Sequence, residues 1–145
     1  MPKIALVTDS TSYIPPELVQ RYQITVIPQV LIWGSETFED GVNIQPSEFY
    51  TRLKTATVMP STSQATVSAF VKIFQGLLDQ GNEILAILVS EKISGTINSA
   101  TQARTLLPAS ASIEIVDSQT TAMALGFQLL AVARFLENGA SMPEA

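Results

Sequence analysis

Hydroxyl and carboxyl side chains stand in four short clusters where apolar runs end or helices begin. They are Thr8-Asp9-Ser10-Thr11-Ser12, Ser61-Thr62-Ser63-Gln64, Ser90 through Ser94-Gly95-Thr96, and Asp117 through Thr121. In the third cluster an apolar run, Ile84 to Val89, stops at Ser90, and a helix is expected to open near Gly95. Free backbone N–H groups at a helix start, beside a hydroxyl at Ser94, make a candidate site for an anion. The plainest reading of each cluster taken alone is a helix cap, worth about 1 kcal/mol. Asp9 and Asp117 likewise read as turn or cap residues closing strands.

Composition removes most other chemistry. The chain has no Cys and no His, which excludes thiolate nucleophiles, disulfides, ordinary zinc sites and an internal Ser-His-Asp triad. No metal site is expected, because no carboxylates pair at a ligating spacing, and neither a Walker loop nor GxGxxG is present. Thirteen acidic against eight scattered basic residues give a net charge of −5, so nucleic acid is not an expected partner. No apolar run approaches the ~18 residues of a membrane span, and a cytoplasmic location is expected.

The elements that must position the clusters alternate between strand and helix. Lys3 to Thr8 reads as a strand, and Pro15-Pro16-Glu17 opens a helix through about Tyr22. Thr25 to Trp33 reads as a strand interrupted at Pro28, followed by a small hairpin or loop excursion between Gly34 and Gly41. A helix runs from Pro46 to about Lys54. Ser61 and Gln64 stand at capping-box spacing ahead of the amphipathic run Val67, Phe70, Val71, Phe74, Leu77, Leu78.

Ile84 to Val89 is the near-continuous apolar run of a strand buried on both faces. Helix over Gly95 to Leu107, strand over Ser112 to Val116 and helix over Thr121 to Glu137 follow, with a further helix start at Ser141. The pattern predicts an α/β fold: a mainly parallel sheet with helices on both faces, three layers in all, and one domain over residues 1–145. In such a sheet the loops after the strands gather on one edge, where ligands bind. The four clusters can therefore converge.

Five motifs together resemble the DegV family of bacterial fatty-acid-binding proteins: Thr8-Asp9-Ser10-Thr11-Ser12, Asp40-Gly41-Val42, Pro60-Ser61-Thr62-Ser63-Gln64, Ser94-Gly95-Thr96 with Asn98-Ser99-Ala100, and Val116-Asp117-Ser118 with Gly126. Tyr13 stands where the family usually has Asp, and Ala122 and Ala124 where it tends to have Ser and Gly. The resemblance implies a lipid carrier and not an enzyme. One fatty acid of sixteen to eighteen carbons would lie in an apolar tunnel, with no other cofactor.

By likeness, Thr62 and Ser94 hold the carboxylate, with Ser63, Gly95, Thr96, Asp9 and Ser10 around it. Similar proteins act as the binding subunit of a fatty acid kinase, which makes an acyl phosphate for phospholipid synthesis. Family members run to about twice this length, so a second, C-terminal domain is expected to be missing from this sequence.

On physical grounds Thr62 and Ser94 are each expected at a helix start, and the apolar sides of the third and last helices among the tunnel walls. Two other readings stay open. One is a small-molecule transferase or kinase-like enzyme using Ser94 or Asp9, for which no motif supplies a convincing base. The other is a non-catalytic interaction domain.

Overall fold

The computed structural model describes residues 2–145. Four strands form a parallel sheet in the order β2-β1-β6-β7: β1 (Ile4–Asp9), β2 (Thr25–Ile27), β6 (Glu83–Leu88) and β7 (Ile113–Asp117). Side-chain alternation along the central strands feeds two cores. Val7, Ile84, Ala86 and Leu88 point to one face and pack on α3 (Val67–Asp79) and α4 (Thr96–Thr105), with Phe70, Phe74, Ala100 and Ala103 fully buried. Leu6, Leu85, Ile87 and Val89 point to the other and meet α1 (Pro16–Tyr22) and α5 (Ala122–Glu137) through Leu125, Leu129 and Ala133. This is the expected three-layer α/β/α arrangement.

The chain leaves the parallel sheet at Pro28, where proline withholds a ladder donor. What reads in sequence as one broken strand is two strands in two sheets. β3 (Val30–Trp33) is the centre of a three-stranded antiparallel sheet, ordered β4-β3-β5 with β4 (Glu36–Glu39) and β5 (Ser61–Ser63). α2 (Pro46–Leu53) covers it, and Leu31, Trp33 and Ile44 are buried beneath Phe38, Phe49 and Leu53. The Arg52 guanidinium lies 4.5 Å above the Trp33 ring and pairs with Glu36, so it ties helix to hairpin largely through its flat face.

One expectation needs correction. Ser61 to Gln64 does not cap α3; Thr66 does, accepting from the Ala69 N–H at 3.2 Å, while Ser61–Ser63 is drawn into a strand pairing Thr62 with Leu31. Thr62 is therefore on an edge strand and not at a helix start. The segment after Ser141 opens as a helix start is expected to, with a Ser141/Glu144 capping box and Pro143 in its first turn, over the 3-10 turn Met142–Glu144.

Candidate functional site

In the sheet order, successive strands run outward from β1 on one side and from β6 on the other. The gap between their carboxyl ends is thus the switch point where α/β sheets open a crevice. Asp9 closes that point from beneath. One carboxylate oxygen accepts from the Thr11 N–H at 2.9 Å and the Thr11 hydroxyl at 2.5 Å; the other accepts from the Val89 N–H at 2.8 Å. Asp9 is fully buried, and the bond from Val89 joins the end of β1 to the end of β6 while the two from Thr11 fix the turn after β1. The loop after β6 is tied in turn to the loop after β7, the Ser90 N–H donating to the Thr120 carbonyl at 2.9 Å.

Above the switch point, the small antiparallel sheet and α2 lean over the parallel sheet's edge and leave a cavity of about 390 Å³, within the range of small-molecule sites. Its apolar walls include Leu31, Ile44, Phe49, Val89 and Ile93, and its polar groups include Thr11, Gln29, Thr62, Ser63, Gln64, Ser94 and Thr121. All four hydroxyl clusters send at least one residue to this space. Among the described residues no lysine or arginine lines it, and Asp40 is its one charged group. An acidic head group would therefore have to be held by neutral donors.

Thr62, Ser63, Ser94 and Gly95 line the cavity. Gln64 brings their two segments together: a methyl group on Gly95 would lie 2.9 Å from the Gln64 amide nitrogen, so the end of β5 rests directly on the start of α4. Among the described residues, no protein group holds the Thr62 hydroxyl. Ser94 Oγ is half-buried and lies 2.8 Å from Thr96 Oγ1.

Asp9, Ser10 and Thr96 stand behind the wall. Ser10 Oγ accepts from the Gln29 N–H at 3.0 Å, Thr96 is fully buried, and none of the three lines the cavity. Asp117 accepts from the Gln119 N–H at 2.8 Å as a turn residue. The Thr8 hydroxyl is buried without a partner among the described residues.

The apolar sides of α3 and α5, expected among the tunnel walls, do not line this cavity. Phe70, Phe74, Leu125 and Leu129 fill the two cores, and α5 touches the cavity only through its cap residue Thr121. The walls come from β3, α2 and the loop carrying Ile93. Gln29 and Tyr50, which no motif marks, also line the space, as do Tyr13 and Asp40. Partial burial, then the Asp40 carboxylate and Tyr50, hold the Tyr13 phenol above its ordinary pKa, so it remains a neutral phenol at physiological pH. Asp40 sets a negative charge on that rim and favours the hydroxyl side for an anion.

Fold and cavity together define a doubly wound α/β domain with a crevice at its switch point, walled by apolar side chains and neutral polar groups. Comparison with known proteins gives the family. A family model described as "Uncharacterised protein, DegV family" matches residues 3–145. A DegV domain-containing protein of Clostridium perfringens is 33% identical over 144 residues, 99% of this chain and 51% of that protein.

Among solved structures, DegV of Bacillus subtilis, described as a fatty acid binding protein, superposes with a TM-score of 0.90 at 33% identity, covering 99% of this chain and 51% of that one. A stearic acid-binding protein from Eubacterium ventriosum gives 0.90 at 26% identity, covering 99% and 50%. The chain belongs to the DegV family. It spans about half the length of the relatives it matches.

Among the described residues no helix is long and apolar enough to cross a membrane, and no group of His, Cys, Asp or Glu is arranged to hold a metal ion.

Proposed function

We propose that this chain binds one long-chain fatty acid, of sixteen to eighteen carbons, with its carboxylate at the hydroxyl side of the cavity and its tail along the apolar walls. The observation that carries the reading is the lining itself: Thr62, Ser63, Ser94 and Gly95 stand around a space that has apolar walls and, among the described residues, no basic side chain. Two structural relatives described as fatty acid or stearic acid binding support it. Ser94-Gly95 precedes the first turn of α4, so a carboxylate there meets the positive end of that helix. Thr62 adds a hydroxyl from the edge strand opposite.

Tail burial supplies the affinity, at about 0.8 kcal/mol per methylene before immobilisation costs, and the head group supplies orientation. The protein performs no chemistry on the acid in this reading. It works in the cytoplasm as a carrier and presents the carboxylate to a fatty acid kinase, which transfers phosphate to it and releases an acyl phosphate for phospholipid synthesis.

Delipidated protein titrated with hexadecanoate should bind one equivalent, and native mass spectrometry of protein made in bacteria should show a matching bound acid. Thr62→Ala and Ser94→Ala should each weaken binding by roughly tenfold or somewhat more, since a hydrogen bond to a charged group is worth about 1.5 to 3 kcal/mol. Absence of uptake at micromolar acid would contradict the proposal.

A further inference from the structure

Gln29 sits at the joint between the two sheets, immediately after Pro28, and is almost wholly buried. Its backbone is fixed at both ends, the N–H donating to Ser10 Oγ at 3.0 Å and the carbonyl accepting from the Asp40 N–H at 2.9 Å. Its side chain therefore enters the site from a rigid base. The amide nitrogen Nε2 lies 3.0 Å from Thr96 Oγ1, nearer than Oε1 at 3.4 Å, and donates to it.

A threonine hydroxyl has one hydrogen to give. With Gln29 Nε2 donating to it, Thr96 Oγ1 has two acceptors for its own hydrogen, Ser94 Oγ at 2.8 Å and Gln29 Oε1 at 3.4 Å, and the nearer one takes it. Ser94 Oγ accepts a second bond from the Thr96 backbone N–H at 3.2 Å. Both acceptor positions of Ser94 are then filled from the protein side. Its hydrogen is left for the cavity.

We infer that Gln29 and Thr96 are positioning residues that fix Ser94 as a hydrogen-bond donor to the cavity, and so select a head group that only accepts, an ionised carboxylate, over one that also donates, such as an alcohol. This rests on the proposed fatty acid reading and adds a source of head-group selectivity. Neither positioning residue touches the ligand through the relay. Thr96 lies behind the wall, and the Gln29 amide acts through Thr96.

Replacing the donor removes the direction. In Gln29→Met the side chain keeps nearly the same length but gives Thr96 no hydrogen, and the Thr96–Ser94 pair can reverse, turning a lone pair of Ser94 toward the cavity. In Thr96→Val the hydroxyl link is gone while shape is kept. An alcohol head can pair with Ser94 in either direction, and a carboxylate in only one.

The test measures binding of hexadecanoate and of hexadecanol to the wild-type chain, Gln29→Met, Thr96→Val and Thr96→Ser. The acid-to-alcohol affinity ratio should fall severalfold in Gln29→Met and Thr96→Val, less than the roughly tenfold that losing the bond itself would give, because Ser94 can still turn to donate. Thr96→Ser, which restores the hydroxyl, should keep the wild-type ratio. An unchanged ratio in both relay variants, or an equal loss of acid and alcohol, overturns the relay and leaves the fatty acid reading standing. If the wild-type chain binds the alcohol but not the acid, the fatty acid reading fails and takes the relay with it.

Discussion

Ser94 and Asp9 carry the same expectation in sequence and have different roles in the fold. Each is a polar residue between a central strand and a helix, but Asp9 spends both carboxylate oxygens on donors from Thr11 in the turn after β1 and Val89 just past β6, while Ser94, in the loop before α4, faces the cavity. An isolated Asp before a loop does not say whether its acceptors will be filled locally. Gln29 is less legible still. Its partner lies 67 residues away, and no periodicity or spacing marks a contact of that range.

One residue carries backbone strain. Ala122 opens α5 with φ of +54°, a left-handed conformation that a Cβ makes costly by about 1 to 2 kcal/mol. Ala122→Gly should therefore raise stability by about 1 kcal/mol despite the greater freedom glycine has when unfolded. Urea denaturation would show it as a higher midpoint with an unchanged slope.

At the level of elements, the best-read parts of the chain are those whose neighbours impose nothing unusual. The stretch Ile84 to Val89 is buried throughout, as an apolar strand inside a parallel sheet should be, and α3 presents Phe70 and Phe74 inward as its period requires. The run Ser61-Thr62-Ser63-Gln64-Ala65-Thr66 is different, because it offers two caps in the proper relation to one helix. Only the pairing of Thr62 with Leu31, set by an antiparallel sheet that sequence reduces to a hairpin, decides in favour of Thr66.

The consequence for the site is direct, since the β5 hydroxyls reach the cavity from a strand edge and bring no helix dipole with them. Gly126 shows another demand made between elements. A Cβ there would lie 2.7 Å from the Ser12 carbonyl, where α5 crosses the turn after β1 that carries Thr11 to the cavity. Gly126→Ala should force helix and turn apart and cost about 1 to 3 kcal/mol, which lowers Tm by roughly 2 to 4 °C per kcal/mol in a chain of this size. Calorimetry would show the shift, and fatty acid affinity should fall with it because Thr11 and Tyr13 move.

For the whole molecule, the strand order puts the crevice between β1 and β6, and the excursion from Pro28 to Gln64 roofs it. The three-layer α/β/α body is readable from alternation of apolar runs. The roof is not, because its strands are short and one of them, Ser61–Ser63, is entirely polar. A second cavity opens at the opposite end of the parallel sheet, lined by Leu6, Tyr22, Ala133, Leu136 and Met142 with Lys3 and Arg21 near its rim. Its two cations would suit an acid, but Glu83 and Glu137 line the same space and oppose one. The proposed function instead puts the acid where the donors are neutral.

A crystal structure of the chain loaded with hexadecanoate separates these directly. The account predicts continuous aliphatic density beneath α2, ending in a carboxylate within hydrogen-bond distance, about 2.5 to 3.2 Å, of Thr62 Oγ1 and Ser94 Oγ. Density for the acid at the Lys3 and Arg21 end, or a carboxylate turned toward Asp40, would contradict it.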